Sequence, residues 1–372
     1  MSEIVLSGSG LYVPPFQVTN DELVTAYNQY VTAYNEQHAD AISRGECEAL
    51  PLSSSEFIEK ASGIKSRYAM HKDGMLDPAR MMPRFQPCQE GNEPEVVTMG
   101  LEAAKEAMAQ ANKQPADIDM LIVATTNHQR AYPSIAVEIQ DKLGIKGCAY
   151  DMGIACSSAT FGLISAYAAV KAGLAQCVLV VNPEFATPQV NLKSRDSHFI
   201  FGDVATAAII ENAASCQSES AFTILHTKQM TQYSDNIRCD GNYTDHCFDD
   251  LPEDRPFFKQ QGKKVFKELL PLVTQFIEQQ LADNHLHAED LKRMWLHQAN
   301  INMNLFAAKK LLGRLPEADE APIVLDEFAN TASSGSVIAF HRYKSDLVSG
   351  DKGLICSFGA GYSIGSLLIE KR

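Results

Sequence analysis

The sequence has no CxxC pair, no excess of positive charge and no apolar run near the roughly 18 residues a membrane helix needs. Each absence removes a class of explanation. Nine cysteines are present, scattered and odd in number. Cys239 and Cys247 lie near each other in a polar stretch and His246 adjoins Cys247, but no CxxC or HxxxH completes a zinc site. A disulfide framework and a structural metal are poor readings, and a reduced cytoplasmic protein fits best. The formal net charge of −14 argues against a general nucleic-acid or anionic-membrane surface, although a local basic patch for an acidic partner is compatible with it. The stretch MSEIVLSGSG has no basic region ahead of an apolar one, so it does not read as a signal peptide.

What is present alternates. Apolar runs that read as buried strands are Met120–Thr126, Cys177–Pro183, Ala205–Glu211, Phe222–Thr227, Arg293–Gln298 and Gly353–Gly359. Between them lie helix-like segments at Val97–Ala111, Ser134–Leu143, Ser157–Ala172, Lys263–Ala282, Met303–Leu312 and Ser334–Tyr343. The alternation predicts an α/β architecture. The order also repeats. In each half a strand is followed by a small-residue helix and a second strand, with Cys156 and Asn330 in equivalent places ahead of the helices. A duplicated βαβ unit would bring those two helix starts together near a pseudo-twofold axis. The halves divide as 1–215 and 216–372. Three polar segments stand outside the repeat, around 26–52, 70–92 and 230–261, and loops of that length usually cap a site or form an interface.

Four stretches carry the chemistry. In MGIACSSATFG, Cys156 follows an apolar run and heads a helix of Ser, Thr, Ala and Gly. A helix N-terminus stabilises a thiolate, so Cys156 reads as a nucleophile; the competing reading is a buried small hydrophobe. In WLHQANIN, His297 ends a buried strand, at the sheet edge where α/β folds place ligands. In EFANTASSGS, Asn330 precedes small residues and, taken alone, reads as a helix cap. In FGAGYSIGS, three glycines surround a tight turn that is either a plain hairpin or a backbone N–H aimed at a developing oxyanion.

Together these stretches resemble the β-ketoacyl-acyl-carrier-protein synthase III family of the thiolase superfamily, as do VATTNHQRAYPSIAVEIQDKLGIKG and IFGDVATAAII. The resemblance runs from about Ser54 to the end, apart from the inserted segments. It implies a thiolase-like fold of two similar halves in five αβαβα layers, and a homodimer. It implies Cys156 as the acyl-accepting nucleophile, with His297 and Asn330 as its catalytic companions. The backbone N–H groups of Cys156 and Ala360 would form the oxyanion hole. Tyr132 would reach the partner subunit's acyl pocket. Arg195, Phe201, Gly262 and Asn300 would line the coenzyme A and acyl tunnel, and Phe57 would stand where the family has a Trp. An Arg usual near Ala61 is missing, and Asn302 replaces an Arg usual after the His-Gln-Ala-Asn motif.

The implied reaction is a decarboxylating condensation. An acyl thioester, with acyl-coenzyme A as primer, acylates Cys156. A malonyl thioester on acyl carrier protein then loses carbon dioxide and attacks. His297 and Asn330 both donate hydrogen bonds, which suits an enolate formed without proton abstraction. No metal or redox cofactor is called for. Since the chain and acyl carrier protein are both acidic, docking needs local cations, and Lys267, Lys309 and Lys310 are the candidates. The alternatives are a non-decarboxylating Claisen enzyme or an acyltransferase on the same fold, and, further off, a non-catalytic scaffold subunit, which loss of Cys, His or Asn would signal. Non-decarboxylating members generally use a Glu base, and NHQRAYPS holds none.

Overall fold

In the computed structural model, which describes residues 3–85 and 93–372, the apolar runs form one sheet of nine strands. From edge to edge these are Leu291–Leu296, Lys352–Gly359, Gly361–Lys371, Phe222–Ser234, Ile4–Tyr12, Val204–Asn212, Cys177–Glu184, Met120–Ala124 and Cys148–Met152. The middle seam is thin: Ile4–Tyr12 and Phe222–Ser234 pair only at Val5 with Thr223 and Leu6 with Phe222. On either side of it the pattern is the same. Cys177–Glu184 runs parallel to Met120–Ala124 and antiparallel to Val204–Asn212, which pairs antiparallel with Ile4–Tyr12. Lys352–Gly359 runs parallel to Leu291–Leu296 and antiparallel to Gly361–Lys371, which pairs antiparallel with Phe222–Ser234. The first half adds one parallel edge strand, Cys148–Met152.

Side-chain burial stacks these strands into five layers. Helices Ser158–Lys171 and Gly335–Arg342 lie in the middle, where Leu163, Ile164, Val337 and Phe340 share one core with strand residues from both halves. Helices Glu95–Gln110 and Ile135–Leu143 cover the first half, and Gly262–Asp283 and Ile301–Leu312 cover the second. Buried on both faces, the strands need near-continuous apolar sequence, which is why they read clearly.

The elements that escaped the sequence reading lack that signal. Ile4–Tyr12 carries Ser and Gly because helix Glu95–Gln110 rests directly on it: a Cβ at Gly8 or Gly10 would collide with the carbonyl oxygens of Ala107 or Ala103. Cys148–Met152 is a half-exposed edge strand without an apolar run. Phe222–Ser234 extends seven residues past the expected Thr227, because its polar half pairs with Gly361–Lys371 as far as Ser234. Of the three outlying segments, the first is helical as far as Ser43, in Asn20–Gln37 and Ala39–Ser43, and irregular beyond it. Met75 and Met81 of the second are core residues packed with Ile58 and Phe199, and residues 86–92 lie outside the described ones. The third returns to the site as the paired short strands Ile237–Arg238 and Lys259–Gln260.

Candidate active site

Cys156 sits in the one-turn 3₁₀ segment Ala155–Ser157, immediately ahead of helix Ser158–Lys171. Ala155 before it has φ 44°, a left-handed conformation that costs a non-glycine residue energy and persists only when its surroundings enforce it. The enforcement is visible: the Ala155 carbonyl accepts from Ser158 Oγ at 2.8 Å and from Thr126 Oγ at 3.2 Å. The thiol is buried, and the backbone N–H groups of Ala360 and of Cys156 itself are directed at its sulfur. Gly359 makes room for it, since an added Cβ there would lie 3.0 Å from Sγ.

The expected thiolate does not follow. Burial pushes the Cys156 thiol up to about 11; the Ala360 N–H pulls it down, the nearby Glu184 carboxylate raises it and its own N–H lowers it, but desolvation wins. The resting Cys156 side chain is therefore a protonated thiol, and the helix start only moderates the cost of ionising it.

His297 follows strand Leu291–Leu296 and is 2% exposed. Burial alone lowers it to about 4, so the imidazole is neutral at pH 7. Its ring lies edge-on to Phe358 at 5.3 Å, and Nδ1 is buried with no hydrogen-bond partner among the described residues. An orphaned buried N–H is rarer than an unsatisfied acceptor, so the proton belongs on Nε2, which makes the ring a donor there.

Asn330 lies between two strained residues, Ala329 at φ 57° and Ala332 at φ 48°. It is not a helix cap. Its Oδ1 accepts from the Ala332 N–H at 3.0 Å, while helix Gly335–Arg342 begins after Ser334. Its backbone is pinned to the opposite half: Asn330 N–H donates to the Ile200 carbonyl at 3.0 Å, and Gly202 N–H donates to the Asn330 carbonyl at 3.1 Å. With Oδ1 occupied, the amide NH₂ is the group left for a ligand.

Cys156, His297 and Asn330 line one chamber of about 40 Å³, walled by Ile237, Phe258, Leu269 and Phe358. Past Asn330, Ala299 and Met303 it opens into a cavity of about 540 Å³ that reaches Phe57, Gly262, Lys263 and Asn300. Asn300 holds the mouth together, capping helix Ile301–Leu312 through Oδ1 and donating to the Ala61 carbonyl at 2.8 Å. Two expected tunnel residues stand back from the wall. Phe201 is packed edge-on against Phe258 at 4.8 Å and bridges to Asn330 through the backbone. Arg195 lies on the Phe57 ring at 3.7 Å and donates to the Leu52 carbonyl at 2.8 Å. Tyr132 is 84% exposed and touches neither cavity. Lys267 lies one residue from Phe266, a cavity-lining residue, whereas Lys309 and Lys310 lie at the far end of helix Ile301–Leu312, roughly 12–14 Å of helical rise from Ile301. Sequence reasoning missed Ile237 and Phe258, whose polar surroundings conceal them, and Glu184, which ends strand Cys177–Glu184 without any motif.

The family model described as 3-oxoacyl-[acyl-carrier-protein] synthase III matches residues 150–232, and that for the C-terminal part of the same enzymes matches residues 281–371. A beta-ketodecanoyl-[acyl-carrier-protein] synthase of Pseudomonas aeruginosa is 51% identical over 93% of this chain and 99% of its own length. A beta-ketoacyl-[acyl-carrier-protein] synthase III of Allorhizobium ampelinum is 30% identical over 88% of this chain and 94% of its own. Among solved structures, the priming beta-ketosynthase of the R1128 polyketide pathway superposes with a TM-score of 0.79 at 24% identity, covering 99% of this chain and 96% of that one. The 3-oxoacyl-[acyl-carrier-protein] synthase III of Aquifex aeolicus gives 0.76 at 23% identity, covering 99% of both chains. These structures share the thiolase-like fold, and the chain belongs to the 3-oxoacyl-acyl-carrier-protein synthase III family of enzymes, which join an acyl thioester to malonyl-acyl carrier protein by decarboxylative condensation.

Proposed function

We propose that this chain performs that condensation through an acyl group carried on Cys156, with His297 and Asn330 assigned to the malonyl thioester. The observation that carries the assignment is the convergence of all three side chains on one chamber, with two backbone N–H groups at the sulfur. In the first half-reaction Cys156 Sγ attacks the acyl thioester. The Cys156 and Ala360 N–H groups receive the oxyanion, the bond to the departing thiol breaks, and the thiol proton of Cys156 leaves with it. In the second, the malonyl carbonyl lies between His297 Nε2–H and the Asn330 NH₂. The bond to the carboxylate breaks, its electron pair becomes the enolate, and the enolate carbon attacks the acyl carbonyl. Cys156 departs as thiolate and takes up a proton.

The finer reading is a medium-chain primer on coenzyme A. The Pseudomonas aeruginosa relative is named for a ten-carbon product. Two of those carbons come from malonyl after decarboxylation, so the primer has eight. At the mouth, the Phe57 ring, backed on one face by the Arg195 guanidinium, offers a flat surface suited to a purine. The coenzyme is a substrate carrier here, and no resident cofactor is assigned. The chain works as a homodimer in the cytoplasm: strand Cys148–Met152 leaves one backbone edge open, and exposed Tyr132 stands nearby to close the acyl chamber of a second copy. No helix among the described residues is long and apolar enough to cross a membrane. The test is intact-mass measurement after exposure to two- to twelve-carbon acyl-coenzyme A thioesters, followed by malonyl-acyl carrier protein. An octanoyl adduct on Cys156 that malonyl-acyl carrier protein discharges as a ten-carbon β-ketoacyl product is expected. An adduct on another cysteine, or one that malonyl-acyl carrier protein leaves in place, refutes the reading.

A further inference from the structure

Glu184 ends the central strand of the first half and is fully buried, yet it pairs with no cation among the described residues. The hydrogen bonds its carboxylate accepts come from both halves of the fold. From the first half, Thr126 N–H donates to both carboxylate oxygens, at 3.2 and 3.1 Å, and Thr126 Oγ, whose single hydrogen is shared with the Ala155 carbonyl, lies 3.1 Å from Oε1. Thr125 Oγ adds a longer contact at 3.4 Å. From the second half, Ser333 N–H donates at 3.2 Å and Ser333 Oγ donates as well. Both sets lead straight to strained turns. Thr126 Oγ also reaches the carbonyl of Ala155, the left-handed residue before Cys156. Ser333 directly follows Ala332, the left-handed residue whose N–H orients the Asn330 amide.

We infer that Glu184 is a positioning residue: by tying Thr126 to Ser333 it sets the Cys156 turn and the Asn330 turn in one register, so that the enolate forms within reach of the acyl carbonyl. Packing alone does not require a carboxylate here. Burying one is costly enough to raise Glu184 to about 7, and its charge also opposes ionisation of Cys156. A group that hinders the nucleophile and costs burial energy is retained for what its oxygens hold. Two reacting groups on separate halves of a fold must meet to within about 1 Å, and a misplacement of that size costs on the order of 10²-fold in rate.

The inference rests on the condensation reading, and its readout is a ratio. In a coupled turnover, acyl-Cys156, malonyl-acyl carrier protein and a proton give β-ketoacyl-acyl carrier protein, carbon dioxide and free Cys156. When the enolate misses the acyl carbonyl, malonyl-acyl carrier protein and a proton give acetyl-acyl carrier protein and carbon dioxide instead. Carbon dioxide per β-ketoacyl product is therefore one when the turns are in register and above one when they are not. The ratio does not depend on how much of a preparation is folded. Wild-type protein is expected to give one, and Glu184→Ala a ratio raised on the order of 10-fold. Glu184→Gln keeps an acceptor oxygen where the Thr126 and Ser333 donors converge, and should return near one. If Glu184→Ala does not fold, the double variant Thr126→Val with Ser333→Ala removes the hydroxyl donors of the same strut and should show the same excess of carbon dioxide. A ratio of one in Glu184→Ala or in the double variant, or Glu184→Gln as uncoupled as Glu184→Ala, overturns the inference. Wild-type protein forming no β-ketoacyl product overturns the condensation reading itself.

Discussion

The two halves of the molecule share a strand pattern and differ at three places where it counts. After the first parallel strand of each half comes Thr125 or His297; ahead of each central helix comes Cys156 or Asn330; at the end of each middle strand comes Glu184 or Gly359. Both Cys156 and Asn330 are directly preceded by an alanine with positive φ, Ala155 and Ala329. Backbone placement is thus duplicated, strain included, and the chemistry is not. Thr125 merely donates to the Pro183 carbonyl at 2.7 Å, whereas His297 faces the chamber. Gly359 yields space to Cys156, whereas Glu184 reaches across to Ser333. On the proposed assignment the first half bears the nucleophile, and the second bears the donors for the malonyl thioester.

The hardest break of this comparison is Cys156→Ala. It removes the only thiol among the described residues lining the chamber, so neither an acyl-enzyme nor a condensation product should form, by intact mass and by product assay. Persisting acylation at full stoichiometry would move the nucleophile elsewhere.

Next are the second-half donors. His297→Ala and Asn330→Ala each remove one hydrogen bond to the forming enolate, worth roughly 2.7–4 kcal/mol, or on the order of 10²–10³ in the rate of carbon dioxide release. Burst acylation from acyl-coenzyme A should fall less, because the oxyanion donors Cys156 and Ala360 remain. Equal loss in both half-reactions would dissolve the division between halves and make His297 a base for Cys156.

The buried thiol supplies a third measurement. A group whose ionised form is disfavoured up to about pH 11 gains thiolate tenfold per pH unit below that value. Iodoacetamide labelling of Cys156 should accordingly rise log-linearly with pH across the neutral and mildly alkaline range. A plateau near neutral pH would restore the helix start as the dominant influence.

The sequence exposed those elements whose physics is local. Strands buried on both faces must be apolar throughout, so the α/β alternation and the repeated order could be read directly; the Cys156, His297 and Asn330 turns are each ambiguous alone and stand out only as an ordered set of family motifs. Elements defined by what approaches them from afar could not. Ser7 to Gly10 look like a loop until helix Glu95–Gln110 is seen resting on them. Phe258 looks like part of an acidic connection until the short pairing of Lys259–Gln260 with Ile237–Arg238 turns it toward Cys156. The raised thiol is another such case: the local sequence advertises a helix start, and only tertiary burial reverses the balance.

The smallest expected effect lies at the rim of the second half, where carrier protein is proposed to arrive. Lys267, Lys309 and Lys310 are exposed and form no ion pair among the described residues, whereas Arg314 close by is engaged by Glu320 at 2.6 Å. Free cations on an acidic protein are where an acidic carrier gains most, and solvent-exposed charges contribute mainly through screened, long-range attraction. Lys267 stands beside the cavity mouth and Lys310 at the remote end of the neighbouring helix, so the two are not equivalent. Lys267→Glu should raise the apparent KM for malonyl-acyl carrier protein several-fold, Lys310→Glu by less, and the increase should shrink as salt is added. Turnover of a small malonyl thioester, which needs no docking, should be unchanged in both. Should Lys267→Glu impair carrier-bound and small substrates alike, the residue acts on the cavity itself, since Phe266 beside it is part of the wall, and the docking face would have to be sought on the first half instead.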